Sequence, residues 1–352
     1  MDLNKIGFNE ELKSALAHLN KEGIIAGRVA LEHKRIYRIF TEFGELLCEV
    51  SGKLSFEAVG REDYPAVGDW VAVLPRLNEG KGTIMAVLPR KSKFSRKTAG
   101  QTTEEQIVAA NVDTIFLVNS LNEDLNLRRI ERYLTLTWES GANPVILLTK
   151  SELSNNVEDS VALVEAVAFG VPVIAVSVHE NRGLDLLNDY LQPQKTIALL
   201  GSSGVGKSTL TNYLLGYEKQ AVQTIREDDD KGRHTTTYRE MLVLPNGCVL
   251  IDTPGMRELQ LWNSSAGILE SFTDIEELAE NCRFRDCGHM GEANCAVKQA
   301  IEDGELESGR LNSYFKMKRE LAYLDRKQNK KAQSDEKKKW KSIKKTIKAK
   351  RK

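Results

Sequence analysis

Residues Gly201-Ser202-Ser203-Gly204-Val205-Gly206-Lys207-Ser208 spell G-x-x-x-x-G-K-S directly after the apolar run Thr196–Leu200. A strand, a glycine-rich turn and a helix start in that order form a phosphate-binding loop. Glycines let consecutive backbone N–H groups turn inward around a polyphosphate. The helix that begins near Lys207 adds the positive end of its dipole. Lys207 is placed to reach the β- and γ-phosphates, the Ser208 hydroxyl to ligate Mg²⁺, and Thr209 continues the first helical turn beside them. Further on, Ile251-Asp252-Thr253-Pro254-Gly255 closes a second apolar strand. Asp252 stands where an acid holds Mg²⁺ through water, and the Gly255 amide where it meets the γ-phosphate. Between the two motifs lies Gly232-Arg233-His234-Thr235-Thr236-Thr237. Thr235 or Thr236 can complete the metal shell there and sense the γ-phosphate.

A base-reading element is expected beside these motifs. Guanine readers use Asn-Lys-x-Asp after a strand, the acid accepting from the ring N–H and the exocyclic amine. Here the strand Val145–Leu148 runs into Thr149-Lys150-Ser151-Glu152. Lys150 can lie over the base plane, and Glu152 can replace the acid with one extra methylene. Thr149 cannot make every bond of an Asn. Ser177, at the end of the next strand, fits the position that helps hold the base. The base elements precede the phosphate loop and Asp252 comes last, whereas ordinary small GTPases run phosphate loop, switches, base motif. The chain therefore reads as circularly permuted, which changes only the loop that is cut.

A separate cluster, Cys282-x4-Cys287-x-His289-x5-Cys295, brings three thiols and an imidazole into a short segment. Those four ligands complete a tetrahedral Zn²⁺ shell and leave no position for water, so the expected site is structural, one per chain. Cys48 and Cys248 lie in strand patterns and read as core thiols.

Around these sites the composition is that of a soluble globular chain: 352 residues, 41% hydrophobic and 28% charged. With no 18-residue apolar stretch and no apolar signal core at the N-terminus, the expectation is a cytoplasmic protein that meets no membrane. Net charge is zero, but unevenly spread. Residues 316–352 hold 17 Lys and Arg against 4 Asp and Glu, a balance of +13 that the rest of the chain offsets. A basic tail on an acidic body suggests a polyanionic partner.

The elements that position the motifs follow from pattern. Ile24–Leu31, Lys34–Phe40, Glu45–Val50, Trp70–Leu74 and Gly82–Val87 read as five strands separated by turn residues. They predict a small closed barrel of the oligonucleotide-binding (OB) kind, with a long loop over 51–69. Arg90, Lys91, Lys93, Arg96 and Lys97 suggest a phosphate-facing patch beside it. Strands and helices then alternate: strand Val112–Val118, helix Leu127–Ser140, strand Pro144–Leu148, helix Val157–Phe169 and strand Val173–Val176. The hairpin Met241–Leu244 and Cys248–Ile251 follows the phosphate-loop unit, giving a mostly parallel α/β sheet. Ile268–Glu280 reads as one helix before the cysteines. The expected domains are 1–97 (N-terminal extension and barrel), 98–263 (circularly permuted P-loop GTPase domain) and 264–352 (mainly α zinc-binding domain with the basic tail).

Barrel, permuted nucleotide domain, Cys-His knuckle and basic end occur together in one family. The chain resembles the RsgA/YjeQ family of bacterial GTPases that depend on the small ribosomal subunit. The resemblance covers nearly the whole chain, and is specific in Gly201–Ser208, Gly232–Thr237, Asp252–Gly255 and the Cys282/Cys287/His289/Cys295 spacing. Ala109–Asp113 and Leu127–Leu134 are also similar. It implies hydrolysis of GTP to GDP and phosphate, stimulated by the small (30S) subunit, in late 30S maturation with contacts to 16S rRNA. Glu152 departs from the family's usual Asp at the base. After Asp-x-x-Gly this chain has Met256 where Ras-like enzymes have Gln, so another group must position the attacking water. His234 is the nearest candidate, and the resemblance points the same way. Nothing argues against a monomer. The alternatives are an RNA-binding scaffold with a structural nucleotide site, and an ATPase of the same loop class, which base preference separates.

Overall fold

The computed structural model describes residues 1–97, 105–122, 125–218, 239–253, 265–324 and 326. The chain starts with a 3-10 turn, Leu3–Ile6, and helix α1 (Glu10–Ala17), capped by the Asn9 side chain. Five strands follow: β1 (Ile25–His33), β2 (Ile36–Thr41), β3 (Gly44–Val50), β4 (Trp70–Arg76) and β5 (Lys81–Val87). They pair in the order β1-β2-β3-β5-β4 and close through β1 against β4, with β3 parallel to β5. This is the five-stranded OB barrel that the turn spacing predicts. Alternate residues fill it: Val29, Tyr37, Ile39, Leu46, Cys48, Val71, Val73 and Ile84 form one interior cluster. The loop over 51–69 carries a short helix, α2 (Gly52–Glu57), which the sequence pattern did not suggest.

Strands β6 (Lys93–Lys97) and β7 (Glu105–Ala110) form a two-stranded antiparallel sheet beyond the barrel. The α/β unit then runs β8 (Thr114–Ser120), α3 (Leu127–Ser140), β9 (Asn143–Thr149), α4 (Val157–Glu165), β10 (Val173–Ala175), β11 (Thr196–Leu200), α5 (Lys207–Leu215), β12 (Glu240–Val243) and β13 (Val249–Asp252). Its sheet order is β10-β9-β8-β11-β13-β12, parallel throughout except for β12. Every residue of β8, β11 and β13 is buried, as expected of parallel strands covered on both faces. One face packs on α5 through Leu210 and Leu215, with Phe116, Val118, Leu147 and Leu199. The other packs on α3 and is continuous with the barrel exterior and the C-terminal helices.

Barrel and sheet meet along a polar seam. A single register contact, Leu31 with Glu240, joins β1 to β12, and Arg38 pairs with Glu240 beside it. Arg28, 1% exposed, donates to Gly68 O and Ile6 O from the barrel side and to Thr196 Oγ1 of β11 at 2.8 Å. It also lies 5.3 Å from the Trp70 ring centre. Burial of that charge is satisfied bond by bond, which is the condition for tolerating it.

The C-terminal unit holds α6 (Ser265–Ser271), α7 (Thr273–Glu280), α8 (Ala296–Glu302) and a last helix over 308–324. The single helix expected over Ile268–Glu280 is thus two. Phe272, fully buried, breaks it with φ −125° and ψ 36°, off the helical values. Its ring meets Tyr314 edge-on at 5.6 Å and Arg310 lies over it at 4.8 Å, so tertiary packing overrides the helical period. Helix α6 lies directly on α3, where Gly267 is needed: a Cβ there would stand 2.1 Å from Thr135 O. Among the described residues no helix is long and apolar enough to cross a membrane.

Candidate active site

The expected phosphate loop is the turn between β11 and α5. Gly201 sits so near β8 that a Cβ would lie 2.3 Å from Val118 O. Gly204 and Gly206 take left-handed φ of 82° and 93°, which favours glycine. Helices α1, α2, α3 and α4 are each capped by a Ser or Asn side chain, but α5 starts at Gly206 without a side-chain cap. Its first N–H groups thus keep their capacity for an anion. Lys207 is 8% exposed and its Nζ donates to Gly201 O (2.9 Å) and Ser202 O (2.6 Å). Burial pulls its pKa down to about 8, against the opposing pull of the Asp252 carboxylate.

Asp252, 1% exposed, ends β13, and its register partner on β11 is Leu199. The neighbouring Thr253 hydroxyl donates to Leu199 O at 2.5 Å, tying this strand end to the one that launches the loop. Sequence reasoning gave Thr253 no role; its place inside Asp-Thr-Pro-Gly was the available signal.

The turns expected to read the base follow β9 and β10 on the same edge. Thr149 is buried, and its hydroxyl donates to Val205 O at 2.6 Å, with Asn119 O at 3.2 Å. The residue that stands for the Asn of a guanine motif therefore braces the phosphate loop. Lys150 takes left-handed φ (56°), turning the chain at once into the 3-10 turn Ser151–Leu153. Ser151 N donates to Val176 O at 3.3 Å, which draws the loop of Ser177 alongside. Ser177, fully buried, forms a two-way backbone bridge with Arg182, and its hydroxyl accepts from Glu180 N at 3.0 Å. Three buried polar atoms here have no hydrogen-bond partner among the described residues: Ser151 Oγ, Glu152 Oε2 and Ser202 Oγ. Buried polar atoms are rarely left so, and a nucleotide's donors and acceptors fit the deficit.

All these segments leave the carboxyl ends of β9, β10, β11 and β13. Between β8 and β11 the connections diverge, β8 leading to β9 and β11 the other way to the β12–β13 hairpin, so the phosphate loop stands at the topological switch point where such sheets bind ligands. His234, Thr235, Thr236, Gly255 and Met256 lie outside the described residues, as does most of the basic tail.

The metal-type cluster also assembles. One ligand atom from each of Cys282, Cys287, His289 and Cys295 lies within 4.8 Å of the others. Cys282 Sγ to Cys295 Sγ is 3.9 Å, and His289 Nδ1 is 3.6 Å and 3.4 Å from those sulfurs. Tetrahedral Zn–S and Zn–N bonds would set edges of about 3.8 and about 3.6 Å, so the residues fit zinc. Glu292 braces the knuckle by accepting from the amides of Gly288, Met290 and Gly291, which hold its pKa down to about 2.

Of the five cations expected to form a basic patch over 90–97, three face carboxylates, whereas Arg96 donates to the neutral Gln106 Oε1 at 3.2 Å. Arg90 is locked bidentately on buried Asp69 (2.8 and 2.7 Å), Lys91 pairs with Asp113 (2.8 Å) and Lys93 with Glu105 (2.8 Å). Arg90 holds the loop before β4, Lys93 ties β6 to β7, and Lys91 links the barrel to the residue before β8. Cys48 and Cys248 are buried core thiols, both pushed up to about 12 by burial.

A phosphate loop after β11, an acid at the end of β13 and the turns after β9 and β10 upstream of both define a circularly permuted P-loop nucleotide-hydrolase domain. Comparison with known proteins narrows the class. A sequence model described as RsgA GTPase matches residues 87–262. A small ribosomal subunit biogenesis GTPase RsgA 1 from Oceanobacillus iheyensis is 46% identical over 344 residues, 97% of this chain and 98% of that protein. One from Methanosarcina acetivorans is 45% identical over 321 residues, covering 91% and 86%. Among solved structures, YjeQ from Thermotoga maritima superposes with TM-score 0.62 at 27% identity, covering 85% of this chain and 99% of that one. YloQ, described as a circularly permuted GTPase, gives 0.59 at 25%, covering 87% and 96%. The chain belongs to the RsgA GTPase family.

Proposed function

We propose that this GTPase hydrolyses GTP to GDP and phosphate under stimulation by the small (30S) ribosomal subunit, bound through 16S rRNA during late subunit maturation. The observation that carries the reading is the convergence of Gly201–Ser208, Thr149–Glu152, Ser177 and Asp252 on one sheet edge. The relatives' name, small ribosomal subunit biogenesis GTPase, supports the choice of partner.

In this reading the loop amides and Lys207 neutralise the charge that builds as the γ-phosphate leaves. Ser208, Thr236 and, through water, Asp252 would hold Mg²⁺, with Thr235 the alternative to Thr236, and the ion would supply positive charge against the phosphates. Ser203, Thr209 and Gly255 line the phosphates, while Lys150, Ser151, Glu152 and Ser177 read the base. His234 positions the attacking water once the subunit is engaged, so hydrolysis without the subunit is slow. Zinc is structural, held by Cys282, Cys287, His289 and Cys295. The working units are 1–97, 98–263 and 264–352. The protein acts in the cytoplasm as a monomer, and its basic tail meets RNA.

The test is single-turnover GTP hydrolysis of wild type and His234→Ala, with and without purified 30S subunits. The subunit is expected to raise the wild-type rate strongly and to leave the variant near its basal rate. Equal rates with and without subunits in the wild type would refute the reading.

A further inference from the structure

Three arginines from three chain segments gather over β7. The 3-10 turn Arg61–Asp63 packs on that strand. In the β6–β7 pair Arg96 stands opposite Gln106 and Ser95 opposite Ile107. Arg239, at the entry to β12, donates from Nη1 to Ile107 O at 3.3 Å. The next residue, Glu240, is in register with Asp252, so the cluster sits one strand from the nucleotide site.

The nearby cations Arg38, Arg90, Lys91 and Lys93 are each paired with a carboxylate. Arg61 and Arg239 make no ion pair among the described residues, and Arg239 Nε is buried without a partner. The charges that act on Arg239 are Arg96 and Arg61, with Glu32 opposing them; burial first, then Arg96, pulls its guanidinium down to about 10. Like charges gathered around a largely buried guanidinium with an unused donor are unfavourable alone, and an anion relieves both costs. The surroundings favour a nucleic acid over a free anion. Tyr64 follows the Arg61–Asp63 turn, and Arg35 lies 5.7 Å from its ring centre, an aromatic and guanidinium face suited to sugar and base.

From this geometry we infer that Arg61, Arg96 and Arg239 form a binding site for a backbone phosphate of RNA, on the seam between barrel and nucleotide sheet. The site rests on the RNA-contact reading above and adds its location.

The test is fluorescence anisotropy of the full-length protein with a short labelled RNA duplex, free of nucleotide and ribosomes, across a salt series. Arg61→Gln and Arg239→Gln are each expected to lower the log affinity–log salt slope by about 0.9, the single phosphate they share, and to weaken low-salt binding by roughly tenfold. Lys53→Gln, an exposed cation elsewhere on the barrel, is expected to stay near wild type. Arg61 is exposed, so its variant reports even if Arg239→Gln misfolds. Unchanged slopes in folded variants would overturn the site, as would displacement of the duplex by inorganic pyrophosphate at equal charge. Neither result touches the GTPase reading, because 30S-stimulated turnover is read separately.

Discussion

Arg310→Met tests how the zinc-bearing helices are joined to the nucleotide domain. The guanidinium is 5% exposed and makes five hydrogen bonds. Two run to Asp274 (2.6 and 2.8 Å), and one each to Glu131 Oε1 (3.0 Å), Val167 O (3.1 Å) and Ser271 O (2.9 Å). Methionine keeps much of the volume over Phe272 but strands the fully buried Glu131. Breaking a buried pair costs about 3–5 kcal/mol. Asp274 is 37% exposed and rehydrates, and Glu131 keeps Arg128 at 2.7 Å, so the low end applies. About 3 kcal/mol corresponds to roughly 150-fold more frequent opening of the interface. Native-state hydrogen exchange by mass spectrometry reads this directly: amides of α3, α6 and α7 are expected to exchange faster by that factor. Burial holds the Glu131 pKa above its ordinary value. A raised carboxyl favours folding when protonated, so the deficit should shrink as pH falls through that raised pKa and be full above it. Glu131→Gln combined with Arg310→Met should likewise cost less than the sum of the two. Protection unchanged to within threefold at neutral pH would refute the idea that this cluster fastens the two units.

Lys207→Ala should lower GTP turnover by at least about 100-fold, the scale for removing one preorganised charge donor, as read by phosphate release. Lys207 titrates from about 8, so GTP association in stopped flow should be flat below that pH and fall about tenfold per unit above it. Thr149→Val leaves the Val205 carbonyl without its 2.6 Å donor, a loss of about 1–3 kcal/mol. Calorimetry should show weaker GDP binding with guanine preference retained; an unchanged affinity would remove Thr149's bracing role. Cys295→Ser should bind less than stoichiometric zinc by elemental analysis and unfold at lower temperature; full zinc content would contradict the four-ligand shell.

Much of this molecule was legible because its chemistry is local in sequence. The phosphate loop, the Asp252 strand end and the cysteine knuckle are each set by short spacings, and β1 to β5 by turn residues every few positions. Helix α3 spans the expected Leu127–Ser140, with the Asn126 side chain capping its start and Gly141 ending it. What stayed hidden depends on distant pairings. That Arg90, Lys91 and Lys93 face carboxylates shows only once Asp69, Asp113 and Glu105 are seen beside them. The break at Phe272 needs Tyr314 and Arg310, and the Arg61, Arg96 and Arg239 cluster needs β7 to assemble it. Thr149 looked like an imperfect base reader; only the contact with Val205, 56 residues away, gives it a second role.

A crystal grown with Mg²⁺ and a nonhydrolysable GTP analogue tests the central claim most directly. The phosphates are expected within hydrogen-bonding reach of the Gly201–Ser208 amides and Lys207, the metal on Ser208 with Asp252 behind its water, and the guanine against Lys150 and Glu152. A nucleotide bound elsewhere, or an adenine analogue held equally well in competition, would contradict it.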